Sequence, residues 1–226
     1  MNNIKLEYID KNEALRWLGV KGEPDEKLAA VMDECEKKLL EVINGRFVYR
    51  VFDIAENDTD KVKLDGCSLT LTGKDVCEHL KGCEKVVLMC ATVGAEADRL
   101  VRYEQTADMA SAVVMDAMAG CAVEQVCDIA EKNIAETMPD MFMTWRFSPG
   151  YGDLPIEIQS KLLAVLNAGR TAGVYTNENS ILTPKKSVTA IIGLSSAEIE
   201  KKRAGCTICK LKESCAFRQK GLRCYE

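Results

Sequence analysis

Hydrophobic residues recur every three or four positions over much of the chain, a spacing typical of helices that bury one face. The longest such stretch, Thr106–Met138, contains no proline and is predicted to be one helix, with a break near Gly120 left open. The alanines around Gly120 allow two interpretations, close approach by another element or a simple preference for helix. The other predicted helices are Asp10–Leu18, Asp25–Ile43, Gly73–Leu80 with Thr72 as its cap, a segment after Gly94, a segment from Pro155 to near Gly169, and 197–203.

Alternating side chains mark the predicted strands. Residues 46–54 (RFVYRVFDI) alternate in this way, and two short strand candidates follow, which predicts a β-meander. The continuous apolar run Val86–Ala91 suits a strand that is buried on both faces. The remaining predicted strands are Val62–Leu64, Leu69–Leu71, Met141–Phe147, Ile181–Leu182 and Val188–Ile192. Together the elements predict an α+β fold, an antiparallel twisted sheet packed with long helices, followed by a small cysteine-rich tail.

Charge divides the 226-residue chain into two unequal parts. The whole chain has a formal net charge of −5, but the segment from Lys201 onward holds eight Lys and Arg against two Glu, so it carries +6 and leaves −11 on the rest. An acidic body argues against a general nucleic-acid binder, because such proteins present basic faces to phosphates. We therefore predict a main domain at 1–200 and a distinct tail at 201–226.

The chain contains 11 cysteines, an unusually high number, and begins with a segment that has no apolar secretory core. The odd count without a signal predicts reduced thiols in a cytoplasmic protein, not a secreted disulfide framework. No membrane span is expected, because the most apolar run, Met109–Val123, carries Asp116 at its middle. The cysteines before the tail are expected to pack as small hydrophobic residues: Cys35, Cys67, Cys77, Cys83, Cys90, Cys121 and Cys127.

Several common catalytic patterns are absent from the sequence. The single histidine, His79, excludes a zinc hydrolase with several imidazole ligands and is expected to lie on the surface or at the end of a helix. There is no G-x-G-x-x-G after a strand and no G-x-x-x-x-G-K-[ST], so a dinucleotide fold and a phosphate-loop ATPase are not indicated. The chain also lacks the D-x-H-x-x-G run of many cobalamin carriers, so any corrinoid would be held by another protein.

The segment Arg146–Pro155, which reads RFSPGYGDLP, is the most informative stretch of the sequence. Its two prolines and two glycines predict a loop of fixed shape whose backbone a ligand can approach closely. Arg146 offers a planar fork suited to a carboxylate, and Tyr151 offers an aromatic face that attracts a cation. These groups complement an amino acid with a nearby positive centre. The residues also allow a structural turn in which Arg146 is salt-bridged and Tyr151 packs.

Two sequence blocks resemble the S-adenosylmethionine-binding activation domain of cobalamin-dependent methionine synthase. The first is R-x-x-P-G-Y-x-x-x-P at Arg146–Pro155, and the second is E-[SN]-x-x-[ML]-x-P-x-x-S-V-[ST]-[GA] at Glu178–Ala190. They occur in the family's order with a helix between them, and the resemblance covers about residues 140–195. The chain departs from the family where Gly152-Asp153-Leu154 replaces the commoner Pro-Ala-Cys, and where Ile191–Ser196 lacks the usual His-Pro.

The resemblance implies roles for particular residues. Arg146 would hold the carboxylate of S-adenosylmethionine, and Tyr151 would lie beside the sulfonium as the catalytic residue. The backbone around Pro149 and Gly150 would shape the pocket. The acid that pairs the ligand's ammonium stays open among three candidates: Asp140, Asp153 and Glu178.

Four cysteines lie close together in the basic tail. Cys206, Cys209, Cys215 and Cys224 form a C-x2-C-x5-C-x8-C pattern, in which the first pair can converge on one metal and the others complete four ligands. Four thiolates around a dication or a +2 iron–sulfur core carry −2, which the neighbouring Lys and Arg residues would partly offset. A [4Fe–4S] cluster is favoured, because the implied reaction needs an electron; zinc and plain reduced cysteines stay open.

The sequence thus predicts a stand-alone protein that acts in trans to remethylate, reductively, the corrinoid of a cobalamin-dependent methionine synthase. It would be a component of this methyltransferase activity in methionine biosynthesis. Cobalamin would stay on the corrinoid-binding module of the partner, and a flavodoxin or ferredoxin would donate the electron. One alternative is an iron–sulfur redox activator of a corrinoid protein that does not bind S-adenosylmethionine. Another is an interaction module that zinc stabilises.

Overall fold

Seven helices and eight strands are formed within residues 3–199, which the computed structural model describes together with the single positions Glu213 and Gln219. The helices are α1 Lys11–Leu18, α2 Glu26–Val42, α3 Lys74–His79, α4 Ala95–Ala107, α5 Met109–Thr137, α6 Ile158–Leu166 and α7 Ala168–Thr171. The strands are β1 Arg46–Asn57, β2 Lys61–Leu64, β3 Thr70–Thr72, β4 Lys85–Thr92, β5 Phe142–Met143, β6 Tyr175–Thr176, β7 Leu182–Thr183 and β8 Ser187–Ser195.

Six of the strands form one antiparallel sheet in the order β3-β2-β1-β4-β8-β5, while β6 and β7 pair separately. The first three strands form the predicted meander. Strand β4 lies between β1 and β8, where Val87 pairs with Val51 on one side and with Ile192 on the other. Its burial from Val86 onward explains the continuous apolar run in the sequence. The α+β class and the antiparallel sheet are confirmed.

The sheet separates two hydrophobic cores. On one face α5 crosses the sheet, and α1, α2 and α4 pack against α5. On the other face α3, α6 and α7 cover β1, β2 and β4. Successive side chains of a strand point to opposite faces, so Val87 joins the α5 core and Leu88 the α6 core. Every side chain that leaves the sheet therefore faces one helical layer or the other.

Helix α5 is the central element of the first core. By length and composition it could cross a membrane, but 67% of its most apolar window is buried inside the protein. It is therefore a core helix. The chain breaks at Asp108, whose carboxylate accepts a hydrogen bond from the Ala110 N–H and caps α5. The helix predicted from Thr106 is therefore wrong at its start, but it runs unbroken through Gly120, where a break was left open.

Gly120 is a point of close helix packing. A β-carbon on Gly120 would lie too close to the ring of Trp17 on α1 and would overlap it. Of the two interpretations of this small-residue stretch, the structure supports close approach by another element.

Replacing Gly120 by alanine is expected to lower the free energy of unfolding by up to about 2 kcal/mol. Overpacking against Trp17 costs about 1–3 kcal/mol, which outweighs a gain of about 1 kcal/mol in helix propensity. Denaturant unfolding measures the change. In a Trp17→Ala background the same substitution should be neutral or stabilising, because the clash is gone. An equal loss in both backgrounds would contradict this account of the contact.

Other predicted elements differ from the structure in informative ways. Thr72 does not cap α3, because Gly73 occupies the cap position without a side-chain hydrogen bond. The strand predicted over Met141–Phe147 pairs regularly only at β5 and then through an isolated bridge between Phe147 and Ile191. The helix predicted from Pro155 begins at Ile158. Residues 197–199 are not helical, and the rest of the last predicted helix, 200–203, lies outside the described residues.

Candidate functional site

The loop that follows β5 is tied down at its start by β8. Phe147 exchanges two backbone hydrogen bonds with Ile191, at 2.9 and 2.8 Å, and its ring is buried in the α6 core. Because neighbouring side chains of an extended segment point to opposite faces, Arg146 faces the α5 layer instead. Two tight turns follow, in which Tyr151 N–H bonds to the Ser148 carbonyl and Leu154 N–H bonds to the Tyr151 carbonyl. The predicted fixed shape of this loop is thus built by backbone hydrogen bonds.

Arg146 lies among three carboxylates of α5. Its Nη2 is 2.8 Å from Glu124 Oε2, and its Nη1 is 2.9 Å from Asp128 Oδ1 and 3.2 Å from Glu131 Oε1. Only 22% of the arginine side chain is exposed. Three carboxylates and one guanidinium give these four residues a net charge of −2. We name these four residues the Arg146 cluster.

Burial shapes the electrostatics of the Arg146 cluster. It raises the pKa of Glu124, and the nearby Arg146 guanidinium pulls this pKa back down. Burial also raises the pKa of the Cys127 thiol well above its ordinary value, with Glu124 adding to the effect. Cys127 therefore stays protonated beneath the cluster and behaves as a small apolar residue. The charges that a ligand would meet belong to the arginine and the carboxylates.

The α5 carboxylates were not among the sequence candidates for the site. Their spacing, at positions i, i+4 and i+7, places them on one helix face. This spacing is the feature of the sequence that could have indicated an acidic surface beside the loop. Of the three acids that the sequence offers for a ligand ammonium, Asp153 is engaged with α3, where it accepts hydrogen bonds from the Lys74 and Asp75 N–H groups. Asp140 and Glu178 are exposed in turns.

Tyr151 is anchored by a different set of neighbours from Arg146. The tyrosine residue is 59% exposed, and its ring centroid lies 6.4 Å from that of Phe147. Phe147 in turn lies 5.4 Å from Trp145 and 5.0 Å from His79. Beside Tyr151 on the loop, Pro149 is buried and Gly150 is exposed. The loop therefore offers solvent an aromatic ring and a bare stretch of backbone, with a packed aromatic layer behind them.

His79 is the last residue of α3 and so lies at a helix end, one of the two predicted settings, but its ring packs against Trp145 and Phe147 instead of lying on the surface. Its Nε2 lies 2.9 Å from Thr144 Oγ1, and burial lowers its pKa from 6.5 to about 4. The imidazole is therefore neutral at physiological pH and serves the packing of the aromatic layer.

The folded protein is expected to lose stability as the pH falls from 6.5 to about 4. In that window the unfolded chain protonates His79 while the folded chain does not, so the unfolded state binds more protons, and the loss reaches at most about 1.4 kcal/mol per pH unit. His79→Gln should remove the contribution of His79 to the dependence of the free energy of unfolding on pH, which denaturant unfolding at a series of pH values measures. A variant with the wild-type slope would contradict the assignment.

The second sequence block supplies hydroxyl groups that hold β8 in place. Ser187 Oγ donates to Thr92 Oγ1 on β4 at 2.8 Å, and Thr189 Oγ1 donates to Gln159 Oε1 on α6 at 2.7 Å. Gln159 also donates to the Ser180 carbonyl, which ties the turn after β6 to the same helix. This block therefore positions the strand that anchors the Arg146 loop.

The four tail cysteines proposed as metal ligands, Cys206, Cys209, Cys215 and Cys224, lie outside the described residues. Within the described part of the chain, no group of three or more His, Cys, Asp or Glu residues could hold a metal ion. Five of the seven earlier cysteines are buried, and Cys67 and Cys83 are half-buried. Burial raises the pKa of Cys90 and of Cys121 to about 12, which supports the expectation that these cysteines pack as small hydrophobic residues.

Comparison with known proteins identifies the fold. No protein-family model and no curated protein matches the chain. A crystal structure of the MetH reactivation domain bound to AdoHcy is similar to it, with a TM-score of 0.64 and 13% sequence identity, over 95% of this chain and 82% of that chain. At this identity the likeness shows the fold alone. The chain therefore has the fold of a reactivation domain, the fold that the two sequence blocks predicted.

Proposed function

We propose that this chain binds S-adenosylmethionine and reactivates, in trans, the corrinoid of a cobalamin-dependent methionine synthase. The observation that carries the proposal is the Arg146 cluster, which stands at the start of the glycine–proline loop in a reactivation-domain fold. The solved domain of the same fold binds AdoHcy, the product that S-adenosylmethionine leaves when it gives up its methyl group. Fold and site chemistry thus favour the same class of ligand.

The charges of the Arg146 cluster fit the amino-acid end of this ligand. Arg146 can offer its planar fork to the α-carboxylate, while Glu124 or Asp128 receives the α-ammonium. With its sulfonium the ligand carries a net charge of +1, which complements the −2 of the cluster. On binding, the α-carboxylate of the ligand would replace protein carboxylates as the partner of Arg146, so the guanidinium would remain ion-paired with and without ligand.

The loop would position the reacting end of the ligand. Tyr151 presents an aromatic face, which attracts a sulfonium as it attracts other cations. The backbone around Pro149 and Gly150 would form the adjoining wall. In the reaction, one electron reduces Co(II) of the partner's cobalamin to Co(I), and Co(I) takes the methyl group, which leaves methylcobalamin and S-adenosylhomocysteine. The residues of this chain contribute binding and orientation.

For the tail we propose a four-cysteine site. Cys206, Cys209, Cys215 and Cys224 would hold a [4Fe–4S] cluster, which supplies one-electron chemistry when it is bound, or alternatively zinc. The corrinoid-binding module of a methionine synthase is the proposed partner, and a flavodoxin or ferredoxin is the proposed electron donor.

One observation favours a second function: the guanidinium of Arg146 already forms ion pairs with the three carboxylates of α5 that lie around it. If this pairing is permanent, the chain acts as a redox activator of a corrinoid protein and binds no S-adenosylmethionine. The two functions differ in whether the methyl donor is required for recovery of the corrinoid.

A reactivation assay in trans tests the proposal. The full chain is mixed with a methionine synthase that lacks its own reactivation domain, trapped as Co(II), with a chemical reductant and S-adenosylmethionine. We expect the Co(II) electron paramagnetic resonance signal to disappear and methylcobalamin to form only when chain and methyl donor are both present. Recovery of Co(I) without a need for S-adenosylmethionine would support the redox activator, and no effect of the chain would refute both functions.

A further inference from the structure

The loop that carries Tyr151 is fastened to α3 by a carboxylate from a distant part of the sequence. Asp153 Oδ2 accepts a hydrogen bond from the Lys74 N–H at 2.8 Å, and its Oδ1 accepts one from the Asp75 N–H at 3.0 Å. These are the first two N–H groups of α3, which have no partner within the helix. Asp153 therefore serves as the N-terminal cap that Gly73, at the cap position, does not supply.

The fastening is reciprocal. Asp75 Oδ2 accepts a hydrogen bond from the Asp153 N–H at 3.1 Å, so each aspartate binds the backbone of the other. This is the arrangement of a capping box, but it joins two segments 78 residues apart. We name the contacts of Asp75 and Asp153 the carboxylate clamp.

Two glycines make the clamp sterically feasible. A β-carbon on Gly73 would overlap the Asp153 carboxylate, and a β-carbon on Gly152 would overlap the Asp75 carboxylate. Both glycines have positive φ values, 135° and 54°, which side-chain-bearing residues rarely adopt. The two backbones can thus lie close enough for both carboxylates to reach N–H groups across the gap.

The clamp fixes the second end of the loop. The first end is fixed at Phe147 by its two bonds to Ile191, and Asp153 fixes the other end six residues later. Tyr151 and Gly150 lie between these two anchors. Because the two ends are held by different elements, β8 and α3, the backbone that carries Tyr151 between them has little freedom to move.

We propose that Asp153 is a positioning residue, which holds the loop in the shape that presents Tyr151 and the Gly150 backbone to the methyl donor. This inference rests on the proposed function for its ligand. Asp153 touches no ligand in this role and acts through the loop alone. The proposal gives a role to Gly152 and Asp153, which stand at positions where the activation domains of methionine synthases commonly have other residues.

The test compares two aspartate caps of the same kind. Asp153→Ala removes the two hydrogen bonds that the Asp153 carboxylate accepts from α3 and keeps the one that the backbone N–H of residue 153 donates to Asp75. Asp25→Ala removes the local cap of α2, where Asp25 accepts a hydrogen bond from the Leu28 N–H at 2.7 Å. Both variants should lose similar thermal stability. We expect Asp153→Ala to raise the dissociation constant for S-adenosylmethionine about tenfold, and Asp25→Ala to change it less than twofold. Equal affinities of the two variants would overturn the positioning role.

Hydrogen exchange separates failure of the clamp from failure of the proposed function. In the ligand-free full chain, Asp153→Ala should speed exchange at the amides of Gly150, Tyr151 and Leu154, while Asp25→Ala should leave them unchanged. If wild-type protein binds no S-adenosylmethionine, the proposed function fails, and the exchange result still decides whether the clamp orders the loop. Unchanged exchange in Asp153→Ala would overturn the clamp itself.

Discussion

Replacing Arg146 by lysine is expected to weaken binding of S-adenosylmethionine by about 30-fold while the chain stays folded. Lysine keeps the positive charge among Glu124, Asp128 and Glu131 but has no planar fork, so it can make only one of the two parallel hydrogen bonds to a carboxylate. A hydrogen bond to a charged group is worth about 1.5–3 kcal/mol, and the lower part of that range corresponds to this loss of affinity. Calorimetric titration of the two proteins measures it.

Arg146→Ala should have the larger effect, with no measurable binding. It also leaves three carboxylates without a counterion, which should lower the free energy of unfolding by about 1–3 kcal/mol, below the cost for a fully buried pair because the acids are partly exposed. Arg99→Lys is the matched control, since Arg99 pairs with Glu96 on the surface of α4, away from the Arg146 cluster. Equal affinities of wild type and Arg146→Lys would show that the ligand, if it binds, does so elsewhere.

Removing the tail cysteines is expected to abolish the metal content of the protein. Protein purified without oxygen should contain iron and sulfide and absorb near ~400 nm, with a band that bleaches on reduction. In the Cys206→Ala/Cys209→Ala double variant, two of four ligands are lost, so no cluster should be retained. Metal analysis and absorbance spectra of the two proteins measure this all-or-none change.

Cys67→Ala provides the control for the tail, because Cys67 is a half-buried cysteine that lies between β2 and β3. Its iron content should equal that of wild type. Zinc in place of iron in the wild type would favour the structural tail of the interaction module. Equal metal content in the wild type and the double variant would refute a site built on these cysteines.

Local sequence signals predict where α1 and α2 begin, two helices that carry their own caps. Asp10 and Asp25 each bind the backbone three residues later, so α1 and α2 begin within one residue of their predicted starts. The cap of α3 could not be found in this way. Its carboxylate comes from Asp153, 78 residues further along the chain, and nothing near Gly73 in the sequence indicates that partner.

The candidate site shows the same division between local and distant information. The prolines and glycines of 146–155 predict a shaped loop, because their backbone preferences act within a few residues. Which helix face meets Arg146 depends on how α5 lies across the sheet, and this is a property of the whole fold. The spacing of the α5 carboxylates can be read from the sequence, but the same spacing is typical of any solvent-exposed helix face. Only the folded chain brings Glu124 and Asp128 to the arginine.

Titration of the full wild-type chain with S-adenosylmethionine, followed by displacement with S-adenosylhomocysteine, tests the central claim most directly. The account predicts saturable binding at one site per chain, displaced by the product and strongly weakened in Arg146→Lys. No heat and no displacement, from protein shown to be folded, would contradict it and leave Arg146 as a structural ion-pair centre beneath the loop.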